Sequence, residues 1–258
     1  MQKKQESNLG KKVFFLYPHS VIQGRLLARI FEQEYEVYLL KDHEKALRIL
    51  RHFNDSILFI NIDEVLNEGE WEEYIRKIKD SETTRNVRIG VMTYNENREL
   101  MEKYSKKLKI RCGAIRLKIG SDESTRIVLE SLETNEARGR RKYVRTTCTS
   151  SHKATFNVRL YEKIYSGSIL NISSAGMACS FNDPIKLEPG TLLEDIQIRL
   201  SGSVCPVFKG RVAGSMGAAA FSYVIMYEKD IDRQTTNKIR SFIFSSLQQE
   251  VDRIANSL

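Results

Sequence analysis

The hydrophobic pattern of this 258-residue chain changes character once, near residue 146. Before that point, short apolar runs alternate with amphipathic stretches of helical length. This is typical of βα units and favours a parallel sheet covered on both faces. After it, stretches of alternating apolar and polar residues are separated by turn residues, which predicts antiparallel β structure. The chain is therefore expected to combine an α/β unit with an all-β unit.

Five strands and five helices are predicted in the first half. The strands are Lys12–Leu16, Glu36–Leu40, Ser56–Ile62, Val87–Thr93 and Cys112–Leu117, and the helices are Val21–Glu32, Glu44–Phe53, Glu70–Lys79, Asn97–Leu108 and Glu123–Glu136. The third helix carries its apolar residues on one face, as a helix packed on a sheet should. A five-stranded parallel sheet with flanking helices follows from this pattern.

Six strands are predicted in the second half, followed by a helix near Arg233–Asn256. The strands are Lys153–Tyr161, Tyr165–Ile172, Gly176–Phe181, Leu192–Leu200, Cys205–Ala213 and Ala218–Tyr227. Short strands joined by turns favour a small antiparallel β-barrel. The apolar face of the final helix predicts packing on the barrel, with a dimerisation helix as the alternative.

The positive charge of the chain lies mainly in its second half. Residues 1–137 contain 24 Lys and Arg against 23 Asp and Glu, whereas residues 138–258 contain 17 against 10. The octamer Arg138–Arg145 holds five of these basic residues and no acid. This imbalance predicts an anionic partner for the second half, without identifying it.

Composition and residue spacing argue against several other classes of protein. No apolar run approaches the roughly 20 residues that span a bilayer, and the polar N-terminus does not resemble a signal peptide, so a cytoplasmic protein without membrane insertion is expected. Four cysteines and four histidines are scattered without metal-ligand spacing, which predicts reduced thiols and no metal site. No catalytic constellation is visible, so the chain is not expected to be an enzyme and no cofactor is predicted.

Two short motifs carry the strongest functional signal. Arg141-Lys-Tyr-Val-Arg145 lies at the junction of the halves, and Asn171-Ile-Ser173-Ser-Ala-Gly176 follows about 25 residues later, each next to a predicted strand. Alone, the first is typical of a basic linker and the second of a polar turn. Their order and spacing make the pair more specific.

With these two motifs the segment 138–258 resembles the PilZ family, the bacterial receptors for cyclic di-GMP. The resemblance implies a six-stranded antiparallel barrel with a C-terminal helix, and a ligand held by Arg141, Arg145, Asn171, Ser173 and Gly176. The chemistry is suitable, since a guanidinium binds phosphate oxygens and the guanine edge bidentately and also stacks on a purine. Among PilZ relatives, an arginine at the position of Arg140 tends to accompany a stacked cyclic di-GMP dimer, so this sequence favours two ligands per site.

The first half resembles the response-regulator receiver domain over residues 11–134. Thr93 ends the fourth predicted strand and Lys118 follows the fifth, as in receivers. The acid pair that holds Mg²⁺ after the first strand is absent, because Tyr17 and Pro18 stand there, and Asn61 falls at the phosphoacceptor position. An amide cannot form an acyl phosphate, so a pseudo-receiver used for docking or dimerisation is expected.

The expected organisation is a pseudo-receiver at residues 1–137, an arginine-rich arm at residues 138–145, and a PilZ barrel with its helix at residues 146–258. The expected function is a cyclic di-GMP receptor in which the ligand changes the arrangement of the two domains. An unidentified protein partner would then bind the receiver-like half. Two alternatives stay open. One is a nucleic-acid-binding regulator that uses the basic arm, and the other is a phosphorylated response regulator that uses Asp63, two residues after Asn61.

Overall fold

A computed structural model describes residues 10–19, 24, 26–117, 122–149, 153–216, 221–228 and 231–257. The chain divides into two compact units. The first comprises Met1–Lys142 together with Gln248–Leu258, and the second comprises Tyr143–Leu247.

The first unit contains a five-stranded parallel sheet in the order β2-β1-β3-β4-β5. Its strands are β1 Lys12–Leu16, β2 Val37–Leu40, β3 Ser56–Asn61, β4 Arg88–Thr93 and β5 Ala114–Arg116. Its helices are α1 Leu27–Glu32, α2 His43–His52, α3 Glu68–Asp80, α4 Arg98–Glu102, which continues as the π-helical turn Lys103–Lys107, and α5 Asp122–Thr134. The predicted α/β class is confirmed, with the strand order of flavodoxin-like doubly wound folds.

Local sequence explains where the helices of this unit begin. Asp42 caps α2, because its side chain accepts hydrogen bonds from the backbone N–H groups of Glu44 and Lys45. Asn67 caps α3, where Glu70 returns the bond in a capping box. The central strand β3 is buried along its whole length, as a strand covered on both faces should be.

The helix predicted at Asn97–Leu108 differs from the expectation, because its second half is π-helical. Its buried residues Leu100, Tyr104 and Leu108 are spaced by four, which exceeds the 3.6 residues of an α-helical turn. A wider turn keeps all three on the buried side. A spacing of four is also compatible with an ordinary α-helix, which is what the sequence alone predicts here.

The outer edge of β2 is covered by a side chain from the C-terminal segment of the chain, which belongs to the same unit. Gln248 Oε1 accepts a hydrogen bond from the backbone N–H of Leu39 at 2.8 Å, and its Nε2 donates to the Leu39 carbonyl at 2.9 Å. Both bonds satisfy groups that an edge strand would otherwise leave open. One amide side chain thus takes the place of a neighbouring strand at Leu39.

The second unit is a closed six-stranded antiparallel barrel in the order β7-β8-β9-β12-β11-β10, with β10 returning to β7. The strands are β6 Arg145–Thr147, β7 Thr155–Leu160, β8 Lys163–Ser173, β9 Gly176–Phe181, β10 Leu192–Leu200, β11 Ser203–Ser215 and β12 Ser222–Tyr227. The short β6 pairs with the end of β8 outside the ring of six. Helix α6, Arg233–Ser257, follows the barrel. The predicted barrel with its C-terminal helix is confirmed.

The barrel core is built by alternating residues. Every second residue along β7 is at least 93% buried, namely Phe156, Val158 and Leu160. Ala154, just before the strand, continues the pattern. The strand predicted at Ala218–Tyr227 begins at Ser222 in the structure, and residues 217–220 lie outside the described part. None of the described helices is long and apolar enough to cross a membrane.

Candidate functional site

Four of the six predicted site residues lie side by side on the barrel. Arg145 on β6 is directly opposite Ser173 on β8, and Ser173 is directly opposite Gly176 on β9. Asn171 lies two residues before Ser173 and faces Thr147 of β6. Residues two apart on a strand point to the same face, so antiparallel pairing brings these four positions together on one surface.

This surface is the outside of the barrel. The residues of opposite parity on the same strands, Thr146, Ile172 and Met177, are at most 3% exposed and face the core. Arg145 is exposed, while Asn171 and Ser173 are partly exposed. Gly176 is buried, so Arg145, Asn171 and Ser173 are the members of this group that a ligand can reach.

Ser173 also holds the turn between β8 and β9. Its hydroxyl donates to the Gly176 carbonyl at 3.1 Å and accepts from the Ala175 N–H at 3.3 Å. The Ala175 carbonyl in turn accepts from the Tyr227 N–H at 2.9 Å, which ties the turn to β12. The serine of the motif thus has a structural task in addition to any contact with a ligand.

Gly176 allows β9 to approach β12 closely. A Cβ atom at this position would lie 2.4 Å from the carbonyl oxygen of Ile225 and 3.2 Å from Met226 Sδ. The first distance is far below van der Waals contact, so a side chain would push the strands apart. Gly176 does not adopt a positive φ, so the reason for glycine here is close packing.

The strand register extends this arrangement to two residues that sequence reasoning missed. Met226 on β12 is opposite Gly176, and Arg211 on β11 is opposite Met226. We call the aligned set Arg145, Ser173, Gly176, Met226 and Arg211 the outer row. Met226 and Arg211 lie 50 and 35 residues beyond the second motif, so only the pairing of β9, β11 and β12 connects them to it.

Arginine supplies the positive charge at the outer row, and the nearby thiols are neutral. Burial raises the pKa of Cys148, which follows β6, to about 11, and that of Cys179 on β9 to about 12. Arg211 is paired with Glu228, whose Oε1 lies 2.6 Å from its Nε. The outer row therefore has Arg145 at one end and the ion pair of Arg211 with Glu228 at the other.

The remaining two predicted site residues, Arg140 and Arg141, are exposed and belong to the first unit. Arg138, at the start of the same basic stretch, donates to Gln33 Oε1 at 3.0 Å and lies over the Tyr35 ring at 4.8 Å. The stretch predicted as one arm is thus divided between the units, with Lys142 as the last residue of the first.

At the carboxyl edge of the parallel sheet, Asp63 rather than Asn61 meets Thr93. The Thr93 hydroxyl donates to Asp63 Oδ1, and the Tyr94 N–H donates to Asp63 Oδ2 at 2.7 Å. Asn61 is buried and donates to the Tyr17 carbonyl at 2.9 Å. Lys118 lies outside the described residues. Among the residues that the structure describes, no three His, Cys, Asp or Glu side chains are grouped as metal ligands.

The family of PilZ domains matches residues 139–245. Among solved structures, the PilZ domain of YcgR from Escherichia coli with c-di-GMP is 15% identical over 46% of this chain and 99% of its own, with a TM-score of 0.37. The MrkH–c-di-GMP complex of K. pneumonia is 17% identical over 45% of this chain and 55% of its own, with a TM-score of 0.36.

A third structure, the inhibitor of motility MotI/DgrA of Bacillus subtilis, is 18% identical over 44% of this chain and 52% of its own, with a TM-score of 0.35. The matched part is therefore about half the length of the last two relatives. No curated protein matches this chain.

Proposed function

Because residues 139–245 are a PilZ domain, we propose that this chain is a cytoplasmic, non-catalytic receptor for cyclic di-GMP. The observation that supports this best is the convergence of Arg145, Asn171, Ser173 and Gly176 on the outside of β6, β8 and β9. These residues come from both motifs, and the register of three strands brings them together.

The proposed site combines the arginines of the basic stretch with the outer surface of the barrel. Arg141 and Arg145 clamp phosphate and guanine groups, with Arg140 as a further stacking plane. Asn171 meets the polar edge of a guanine, and the outer surface around Ser173 receives the base. With three guanidinium groups to offset phosphate repulsion, the site takes two stacked ligands.

Ligand binding changes the arrangement of the two units in this proposal. Arg140 and Arg141 are grouped with the first unit and Arg145 with the second. A dianionic ligand held by both sets of arginines constrains the chain between them. The receiver-like unit then presents a different surface to a protein partner, with motility, adhesion or gene regulation as the output.

Calorimetric titration of cyclic di-GMP tests the proposal. Wild type is expected to bind with two ligands per site, and the double variant Arg141→Ala/Arg145→Ala to lose binding by at least a hundredfold, since each charged hydrogen bond contributes about 1.5–3 kcal/mol. Removal of the same charge from Arg159 and Arg199, exposed residues on other strands of the barrel, should leave the affinity unchanged.

Two results, the second from a parallel titration with nucleic acid, would contradict the proposal. One is the absence of binding in wild type. The other is preferential binding of single-stranded nucleic acid that weakens steeply with salt and survives Asn171→Ala, which would indicate the nucleic-acid alternative. A stoichiometry of one would reject only the stacked dimer, and Arg140→Ala is expected to convert two ligands to one.

A further inference from the structure

We infer that Arg211 and Met226 extend the ligand surface of the barrel beyond the two motifs. Arg211 would bind a phosphate or the guanine edge of the ligand, and Met226 would support the face of a purine. This inference rests on the proposed function, and it adds two residues on β11 and β12 to the site.

The geometry of the outer row carries the inference. Its five members are consecutive cross-strand neighbours on β6, β8, β9, β12 and β11. Directly opposite residues share a face of a sheet. The residues of opposite parity on β12 and β11, Ile225 and Val212, are at most 2% exposed and point inward. Arg211 and Met226 therefore face outward with Arg145 and Ser173.

The distances within the row suit a nucleotide. Adjacent strands lie about 4.8 Å apart, so Gly176 and Arg211 are separated by about 10 Å at the backbone. The Arg211 side chain bonds to Glu228 and Gly190 in the structure, and an arginine side chain released from them would be long enough to extend over most of that span. From the other end, Arg145 lies two strands from Gly176. The two guanidinium groups thus flank a stretch of surface whose centre is the Met226 side chain lying against the buried Gly176.

Met226 is suited to the apolar part of that surface. It is 42% exposed, although it is apolar and lies on a barrel strand. Because Gly176 has no side chain, the Met226 sulfur lies against its backbone. A thioether makes favourable contacts with aromatic rings. A purine placed over Gly176 would cover Met226 and bury apolar area that water now contacts.

Arg211 forms an ion pair with Glu228. A ligand would have to displace this carboxylate or bind the guanidinium beside it. The Arg211 side chain is 56% exposed and its partner Glu228 is 37% exposed, so both are accessible. Nε bonds to Glu228, and Nη1 lies 3.4 Å from the Gly190 carbonyl. The guanidinium has five N–H donors, so it can bind a further anion on its free edge. The Glu228 carboxylate would repel that anion and lower its affinity.

These roles predict opposite effects on affinity for cyclic di-GMP. Calorimetry of the full-length chain should show about tenfold weaker binding for Arg211→Ala and severalfold weaker binding for Met226→Ala. Met226→Leu should restore most of the loss, because it keeps an apolar platform. Glu228→Gln should bind severalfold more tightly than wild type, because it removes a competing negative charge.

A second ion pair on the barrel provides the matched control. Arg159 and Asp195 form an exposed pair at 3.4 Å, and Arg159 lies on β7, which carries no member of the outer row. Arg159→Ala and Asp195→Asn change the net charge as Arg211→Ala and Glu228→Gln do. Their affinities should equal that of wild type.

A spectroscopic measurement separates contact from a structural effect. In a chain labelled at the methionine methyl groups, the Met226 methyl resonance should move upfield on ligand addition, because it would lie over a purine ring. Met226→Leu identifies this resonance among the six methionines of the chain.

The outcomes distinguish the two claims. If wild type does not bind cyclic di-GMP, the proposed function fails and this inference fails with it. If wild type binds and Arg145→Ala weakens binding while Arg211→Ala and Glu228→Gln behave like their controls, the inference alone is overturned. An unshifted Met226 methyl in the saturated complex would remove Met226 from the site.

Discussion

Gly176 shows how one position can serve both the fold and the site. A glycine in a ligand motif is usually explained by the approach of the ligand, yet here the carbonyl of Ile225 already occupies the space of a Cβ atom. The same close approach brings Met226 against the motif. Loss of this glycine should therefore affect the folded barrel even when no ligand is present.

We predict that Gly176→Ala lowers the free energy of unfolding of the second unit by about 2 kcal/mol, because backbone at 2.4 Å cannot move aside without loss of strand pairing. Urea unfolding in the absence of ligand measures this. Gly214→Ala on β11 is the control. A Cβ there would have no heavy atom within 4 Å, so this variant should stay within about 0.5 kcal/mol of wild type. Equal stability of the two variants would contradict this prediction, because it would show that β12 can move away from β9 without loss of stability.

At the scale of single elements, the side chain of Gln248 completes the hydrogen bonding of an edge strand. Its one amide group satisfies both the N–H and the carbonyl of Leu39 on an edge strand. Hydrogen bonds between a side chain and a strand edge protect that edge from pairing with other chains. The C-terminal part of α6 is thus part of the receiver-like unit.

We predict that Gln248→Ala destabilises the first unit by about 1–2 kcal/mol, because its two hydrogen bonds to Leu39 are lost and two backbone groups are left to water. Hydrogen exchange at the Leu39 amide and urea unfolding report the change. Gln249→Ala is the matched control, since Gln249 is the exposed neighbour on the same helix. If the Leu39 amide exchanges at the same rate in both variants, Gln248 does not protect the edge.

Periodicity predicted most strands and helices of this chain, and it failed where the local signal was short or ambiguous. The strand β6 was missed, because its three residues adjoin a basic stretch and show no alternation. The π-helical turn around Tyr104 was missed, because its spacing of four is close to that of an α-helix. The bonds of Gln248 join residues 209 positions apart, which no local pattern can indicate.

The candidate site, like the fold, can be predicted from the sequence only where a local pattern marks its residues. The two motifs predict Arg145, Asn171, Ser173 and Gly176 as ligand-binding residues, and the strand register places these four side by side. Arg211 and Met226 have no motif. They join the row only through the register of β11 and β12 with β9, and a shift of one residue would turn both inward.

At the scale of the whole molecule, the proposed function predicts a change of distance between the units. Fluorophores attached to exposed residues of each unit, Glu82 and Glu162, should change their energy transfer when cyclic di-GMP is added. Arg141→Ala/Arg145→Ala should abolish the change. A second pair of labels, at Glu82 and Lys186, is needed because a rotation of the units could leave the first distance unchanged. Saturating ligand without any change in either pair would show a receptor that does not rearrange.

The contact between Gln248 and Leu39 also has a consequence for the order in which the protein is completed during synthesis. At 5–20 residues per second, roughly 10–40 s pass between the appearance of Leu39 and that of Gln248, which is 209 residues away. Throughout this interval the nascent first unit has an open strand edge on the ribosome. A neighbouring nascent chain can pair with that edge, so slow translation of the barrel should increase aggregation of the half that is made first.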